Sequence, residues 1–377
     1  MIYLDHNATS PLLPQARDAW LESAERFPGN PSSPHRIGAR AESALENARQ
    51  RLAAVLGCVA PEIVFTSGAT EACNMVWQHL SARTGTDEVV ALSAIEHPAV
   101  FESARHYFGA RVRVLAVDAS GVVDLAGAER LLQTEHVACV ALMAANNETG
   151  VLQPWAMLQE MCVARGADFF CDATQWCGRL PASGLGGCGF VAGSAHKFGG
   201  PRGVGFLKCP AGLELNPLLR GGNQQDGRRA GTENVPGVLG MLAAFEWCEA
   251  RLAAGELPHQ QEVRDDFVQR LQRAIPGVSI NGGHAPRLWN TVSVVMPELP
   301  SRHRWIVKLD KAGFAVSTGS ACASGSEHPS PVLTAMGLAP CDAARALRFS
   351  SGWPTPPMQW ESLLQTLVTL QRELGAA

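Results

Sequence analysis

Short apolar segments alternate with amphipathic stretches along the chain between about residues 61 and 208. Apolar runs rich in β-branched residues are typical of strands buried on both faces, and the stretches between them are typical of crossover helices. The pattern therefore predicts an α/β fold built on a mainly parallel seven-stranded sheet. We place its strands at residues 63–66, 89–93, 112–117, 138–143, 168–171, 190–193 and 204–207. We place helices between them at residues 72–83, 100–108 and 155–165.

A helical stretch over residues 235–273, interrupted near Gly255 and Pro258, predicts a passage from this sheet into a second unit. A chain of 377 residues exceeds the size of one ordinary core, so two domains are expected. We predict a large domain over 12–255 and a smaller α+β C-terminal domain over 256–377, on which the segment 1–11 packs. The elements expected in the small domain are strands at 291–295 and 346–350, helices at 305–312 and 357–373, and a polar loop at 317–330.

Polar clusters follow five of the predicted strands at the point where each strand ends. Ligands of open α/β sheets bind beyond the carboxyl ends of the strands, so we expect these clusters to form one site. The clusters occupy residues 67–70, 96–97, 146–148, 172–175 and 194–197.

Composition and charge narrow the classes of function. The net charge of −4 offers no basic surface for nucleic acid or anionic lipid. The N-terminus has no signal-peptide pattern, and no apolar run reaches membrane-spanning length. The eleven cysteines include no Cys-x-x-Cys pair, so we expect neither a disulfide framework nor a metal site. These features favour a cytoplasmic enzyme acting on small molecules.

Lysine is scarce, and one of the four lysines stands apart from the others. Lys197 lies in a glycine-rich segment after a strand. This segment is equally consistent with a phosphate-binding nest and with a turn that has no binding role. Asp172, at the end of another strand, can pair with the pyridine nitrogen of pyridoxal 5′-phosphate (PLP), whose aldehyde a lysine binds. Residues 67–70 offer N–H groups and hydroxyls to its phosphate, although they are also ordinary capping residues.

Three further side chains are candidates for chemistry. His97 can stack on the cofactor ring and transfer protons, but a structural histidine at a strand end is an equally good interpretation. Cys322 lies in a stretch of small and polar residues that suits a nucleophile better than a core thiol. Arg348 can grip a substrate carboxylate with two hydrogen bonds, although an arginine in this context is more often on the surface.

Taken together, these segments resemble the cysteine desulfurases of the NifS/IscS type, within the class V group of fold-type I PLP-dependent transferases. The resemblance covers nearly the whole chain. The segments that carry it are residues 3–9, 65–71, 96–97, 146–150, 172–175, 194–197, 228–234 and 319–322.

The resemblance implies a role for each candidate residue. Lys197 would bind the PLP aldehyde, Asp172 would pair with the pyridine nitrogen and Gln175 would bond the ring oxygen. Asn147 and Arg348 would bind the carboxylate of L-cysteine, and Cys322 would receive its sulfur. The residues implied in binding the rest of the cofactor are Ala69, Thr70, His97, Ser194 and His196. Thr232 would reach the phosphate in the neighbouring subunit, which implies a homodimer with composite sites.

The implied reaction converts L-cysteine into L-alanine and leaves a persulfide on Cys322 for a sulfur acceptor or scaffold protein, in iron–sulfur cluster assembly or in tRNA or cofactor thiolation. Selenocysteine lysis or another class V PLP reaction remains an alternative, because Lys197 and Asp172 would serve each of them. A third alternative is a protein that acts chiefly as a platform for sulfur-transfer assembly. Three positions depart from the family pattern: His6, Asp226 and Trp353.

Overall fold

The computed structural model describes residues 1–298, 305–318 and 330–375. In these ranges the strands are β1 Ile2–Tyr3, β2 Ile63–Thr66, β3 Val89–Ser93, β4 Val112–Leu115, β5 Val137–Met143, β6 Asp168–Asp172, β7 Phe190–Ser194, β8 Gly205–Lys208, β9 Ser279–Ile280, β10 Thr291–Val295, β11 Phe314–Ala315 and β12 Ala346–Ser350. The helices are α1 Pro14–Arg26, α2 Arg36–Leu56, α3 Ala69–Arg83, α4 Pro98–Phe108, α5 Leu125–Thr134, α6 Trp155–Ala164, α7 Val235–Ala253, α8 Leu257–Ala274, α9 Trp305–Lys311, α10 Pro331–Ala335, α11 Pro340–Ala343 and α12 Pro357–Gly375.

The large sheet has seven strands in the order β2-β8-β7-β6-β5-β3-β4, which confirms the predicted sheet. All neighbouring strands are parallel except β8, which runs antiparallel to both β2 and β7. Strand β4 ends at Leu115, two residues earlier than expected, because Val117 leaves the sheet and bridges to Val123. Six of the seven strands therefore end at the same edge.

Both faces of this sheet are covered, which explains why its strands appear as unbroken apolar runs. Along β5, Cys139 and Ala141 belong to one buried cluster, whereas Val140 and Leu142 belong to another. Successive side chains of a strand point to opposite faces, so the two clusters are the two cores of the sheet. Burial raises the pKa of the Cys139 thiol well above its usual value. Such a thiol acts as a small apolar side chain.

A second, three-stranded antiparallel sheet has the order β12-β10-β9. Its core includes Leu4, Phe267, Phe349 and Trp360. The N-terminal strand β1 pairs with β11 in parallel. The link between α7 and α8 contains Gly255, whose φ of +76° favours glycine. The division into domains at residue 255 stays a prediction.

No helix of the described ranges combines the length and the apolar character that crossing a bilayer requires.

Candidate active site

A cavity of about 470 Å³ opens at the carboxyl edge of the large sheet. We call it the strand-end cavity. It is lined by residues that follow several different strands, as the sequence predicted. The predicted site residues that line it are Ala69, Thr70, His97, Asn147, Asp172, Gln175, Ser194, His196 and Lys197.

One end of the strand-end cavity is formed by the beginning of α3. Gly68 precedes the helix with a φ of +152°, which a side chain would not favour. The first intrahelical bond runs from the Ala72 N–H to the Gly68 carbonyl, so the N–H groups of Ala69 and Thr70 have no acceptor within the helix. A helix N-terminus with such N–H groups favours an anion.

His196 and Arg202 add to this end of the cavity. Burial, together with the charges of Lys197 and Arg202, lowers the pKa of His196 to about 4, so its ring is neutral at pH 7. The Nδ1 atom of His196 lies 3.2 Å from the Thr9 hydroxyl. Arg202 also lines the cavity, but the sequence analysis did not select it. Its position five residues after Lys197, in the same glycine-rich turn, is the signal that was missed.

Lys197 is held against the N-terminal segment. Its Nζ donates to the carbonyls of Asn7, at 2.7 Å, and Ala8, at 2.9 Å. The Ser10 hydroxyl donates to the Lys197 carbonyl at 3.0 Å. The segment around Asn7 thus forms one wall of the cavity and fixes the position of the lysine.

Asp172 ends β6 and is almost fully buried. Its Oδ1 accepts a hydrogen bond of 3.0 Å from the Thr174 N–H, which fixes the carboxyl group. Gln175 is buried beside it and donates from Nε2 to the Asn7 carbonyl at 3.0 Å. The cavity therefore contains a carboxyl group and an amide held rigidly by backbone groups.

The sequence left open whether His97 is a structural residue or part of the site, and its contacts fit both interpretations. Its Nδ1 accepts a hydrogen bond of 3.0 Å from the Ala99 N–H and caps α4, and its ring also lines the cavity. The neutral ring therefore carries its proton on Nε2. Burial, assisted by the charge of Lys197 and opposed by that of Asp172, lowers the pKa of His97.

Arg348 is buried, whereas an arginine in this sequence context was expected more often on the surface. It lies in the buried strand β12 and is 1% exposed. Its guanidinium pairs with the Asp5 carboxylate at 2.7 Å and donates to the Asn147 carbonyl at 2.9 Å. The side chain is buried because Asp5, 343 residues away in sequence, supplies its counter-charge. Arg348, Asn147, His97 and Lys197 line an adjoining cavity together.

Two predicted residues are not brought into the strand-end cavity. Thr232 is exposed in the segment before α7 and does not line the cavity of its own chain. Cys322 lies outside the described residues, as does most of the predicted loop 317–330. The described ends of that loop are anchored: the Arg348 N–H donates to the Ser317 carbonyl at 2.7 Å, and the Ser330 hydroxyl donates to the Glu148 carboxylate at 2.6 Å.

Residues that the sequence analysis did not select also shape the site. Asp5, Asn7, Glu96 and Glu148 each lie beside a selected residue or within a segment that carried the resemblance. No group of three or more histidine, cysteine or acidic side chains suited to a metal ion occurs in the described ranges.

Comparisons with known proteins agree with this geometry. The model of the aminotransferase class-V family matches residues 2–353. A cysteine desulfurase of Klebsiella pneumoniae is 39% identical, with 100% of this chain and 94% of the relative covered. The cysteine desulfurase IscS of Dictyoglomus turgidum is 35% identical over 98% of this chain and 94% of the relative. The solved structure of a NifS-like protein superposes with a TM-score of 0.89 at 31% identity, covering 99% of this chain and 100% of that one. The chain therefore belongs to the aminotransferase class-V family and, within it, to the cysteine desulfurases of the NifS/IscS type.

Proposed function

We propose that this cysteine desulfurase binds PLP in the strand-end cavity, takes the sulfur of L-cysteine and holds it as a persulfide on Cys322. The observation that carries the proposal is the meeting of Lys197, Asp172 and the N-terminus of α3 around one cavity. We further propose that the chain is cytoplasmic, forms a homodimer and passes its sulfur to an acceptor protein, in iron–sulfur cluster assembly or in thiolation. The large domain, 12–255, would carry the cofactor, and the small domain, 256–377, the Cys322 loop.

The residues of the cavity fit PLP. The first N–H groups of α3, with Ser194, His196 and Arg202, suit a phosphate, and the buried Asp172 carboxylate suits a cationic pyridine nitrogen. Lys197 would hold the aldehyde carbon. When bound, PLP supplies a sink for the electron pair left behind when the α-proton of the substrate is removed.

Two side chains would move protons in this cavity. Lys197 is oriented by the Asn7 and Ala8 carbonyls, and its amine would remove the α-proton of bound cysteine once the substrate has displaced it. His97, with its Nδ1 occupied by the Ala99 N–H and its pKa lowered, is a neutral imidazole that would carry a proton at Nε2.

Arg348 and Asn147 would bind the carboxylate of the substrate. The guanidinium of Arg348 is fixed by Asp5 and by the Asn147 carbonyl. Because the side chain is already ordered, binding a substrate would cost less side-chain entropy. A planar guanidinium presents N–H donors in a fixed fork that matches the geometry of a carboxylate. The described ends of the loop that contains Cys322 are bonded to the Arg348 N–H and to the Glu148 carboxylate.

The sulfur transfer balances without an added oxidant. The Cys322 thiolate would attack the sulfur of the substrate, so that an S–S bond forms and the Cβ–S bond breaks. The electron pair of the broken bond remains with Cβ, which takes up a proton. The products are L-alanine and a persulfide on Cys322.

The proposal is tested by the absorption spectrum of the purified protein and by alanine and sulfide assays with L-cysteine. Lys197→Ala is expected to lose the visible band of lysine-bound PLP and all turnover. Cys322→Ala is expected to keep the band and lose sulfur release, because only the acceptor of sulfur is removed. The matched controls are Lys311→Ala and Cys341→Ala, which remove a helix-surface lysine and an exposed cysteine.

Two results would contradict the proposal in different ways. A wild-type protein that binds no added PLP would exclude the cofactor. Full desulfurase turnover in Cys322→Ala would exclude the persulfide on this residue while leaving the PLP site intact, and would favour another class V reaction.

A further inference from the structure

A second cavity, of about 350 Å³, borders the N-terminal segment and shares only Lys197 with the described lining of the strand-end cavity. Three tryptophans line it: Trp247, Trp289 and Trp353. We call it the indole cavity. No step proposed above uses it.

The tryptophans give this cavity a fixed aromatic wall. The rings of Trp289 and Trp353 are in contact, with centroids 4.4 Å apart. Their N–H groups donate to the carbonyls of Arg179, at 2.9 Å, and Gly178, at 2.7 Å. Because both polar atoms are bonded within the protein, the two indoles can offer a ligand only ring surface.

The same cavity is lined by a buried cation, Arg179, which is 3% exposed. Its guanidinium donates to the carbonyls of Gln175, at 3.2 Å, and His6, at 3.4 Å, and to the Asn7 side chain at 3.5 Å. These bonds are at the long end of the usual range or beyond it. All three acceptors are neutral.

No carboxylate forms an ion pair with Arg179 in the part of the chain that the structure describes. The thiols of Cys177 and Cys248 lie near it, but burial raises the pKa of each far above neutrality, so neither supplies a negative charge. Burial lowers the pKa of Arg179 only to about 10, so the guanidinium stays charged at pH 7. A buried cation without a counter-charge is costly, and an anion beside it would reduce that cost.

His6 is a second incompletely satisfied group on this cavity. Its side chain is buried, and its Nδ1 has no hydrogen-bond partner among the described residues. Burial and the charge of Arg179 lower the pKa of His6 to about 3, so the ring is neutral and adds no positive charge. Arg179 is therefore the charged group that a ligand would meet.

We propose that the indole cavity binds a small aromatic carboxylate, with its ring against Trp289 and Trp353 and its carboxylate paired with Arg179. The aromatic wall favours a ligand with an aromatic ring, and the uncompensated guanidinium favours a ligand with a negative charge. The volume lies at the lower end of the range for small-molecule sites, which favours one ring with a short acid side chain.

The test uses the PLP-bound enzyme and titrates phenylacetate, followed by saturation-transfer NMR. Phenylacetamide serves as the neutral probe of the same shape. We expect phenylacetate to bind at least tenfold more tightly than phenylacetamide. Arg179→Met should raise the Kd of phenylacetate at least tenfold and so remove the difference in affinity between the two probes. Arg179→Lys should keep part of that difference in affinity. The surface variant Arg165→Met is the matched control and should leave the Kd unchanged.

Two further variants keep the proposal testable if Arg179→Met fails to fold. Gln359 is half-buried on the cavity wall, and Gln359→Phe should narrow the cavity and so raise the Kd of phenylacetate. Arg348→Lys, which keeps a positive charge beside Asp5, should leave binding unchanged. Equal affinity for the two probes, or no binding by the wild type, would overturn the proposal. Loss of binding in Arg348→Lys would overturn it too, since phenylacetate would then occupy the site proposed for the substrate carboxylate.

Discussion

Glu96 lies next to His97 and is buried between β3 and β5. The Ser93 hydroxyl and the Met143 N–H both donate to its Oε1, at 2.6 and 2.8 Å. Burial raises the pKa of Glu96 to about 8, against the effect of these two bonds, and the charge of Asp172 raises it further. Glu96 is therefore mostly protonated at pH 7 and joins the ends of two strands without adding charge to the site.

This protonation makes the stability of the enzyme depend on pH. An unfolded Glu96 loses its proton near pH 4.5, and the folded carboxyl keeps it up to about pH 8. Between these values the folded state binds more protons, so the unfolding free energy falls as pH rises. Relative to Glu96→Gln, which cannot titrate, the wild type should lose on the order of a few kcal/mol between pH 5 and 8.

Urea unfolding of both proteins at four pH values in this range measures the difference. Glu102→Gln, at an exposed position on α4, is the control for removing a carboxylate. A difference between wild type and Glu96→Gln that does not change with pH would show that Glu96 is ionised in the folded protein.

Among the elements, the end of the strand-end cavity that α3 forms depends on close contact between β8, β7 and the start of α3. A Cβ placed on Gly205 would lie 2.5 Å from the Gly193 carbonyl oxygen and 2.6 Å from the Gly68 Cα. These contacts are with backbone, which cannot move aside as a flexible side chain would. Glycine at 205 thus allows β8 to lie against Gly68, the residue that precedes α3.

Gly205→Ala is expected to disturb both stability and cofactor binding. The added methyl group should push β8 away from Gly68 and lower the unfolding free energy by about 1–3 kcal/mol. PLP should bind more weakly, since the N–H groups of α3 would shift. Thermal unfolding and PLP titration measure the two effects.

Gly184→Ala is the matched control, because its added Cβ would have its nearest neighbour at 3.4 Å and its φ of −79° suits alanine. Unchanged PLP affinity in Gly205→Ala would mean that this contact does not position the phosphate site.

At the scale of the whole molecule, the N-terminal segment connects the two sheets. Tyr3 pairs with β11, and the His6 N–H donates to the Ser350 carbonyl at the end of β12. The carbonyl of Asn7, one residue later, accepts a hydrogen bond from Lys197, which follows β7 of the large sheet. Thr232, in contrast, is exposed and does not line the strand-end cavity of its own chain.

The proposed composite site predicts complementation between inactive chains. Thr232→Ala and Lys197→Ala should each lose activity as homodimers. In a mixed dimer, the Thr232→Ala chain supplies Lys197 and its partner supplies Thr232, so one complete site forms. Unfolding and refolding a mixture should therefore restore part of the desulfurase activity, whereas refolding each variant alone should not. Activity that stays absent in purified mixed dimers, or a monomeric wild type in light scattering, would contradict the composite site.

Local patterns in the sequence were enough to predict the seven-stranded sheet and the edge at which the strand-end cavity opens. A strand that is buried on both faces is an unbroken apolar run, which can be recognised within the strand itself. Polar residues directly after a strand can likewise be recognised without knowing which distant parts of the chain lie nearby. Strands such as 63–66 and 89–93 were predicted with their observed bounds for this reason. Helices α1, α2 and α5 had no prediction, although Gly57, which follows α2, has the left-handed conformation typical of a helix C-terminus.

Features that depend on residues far apart in sequence became visible only in the folded structure. The burial of Arg348 follows from Asp5, the uncompensated charge of Arg179 from the absence of any such partner in the described residues, and the antiparallel direction of β8 from its two neighbours. Local patterns report how a segment is buried. They do not report which segment covers it, because the free energy that selects a partner arises only when distant residues meet.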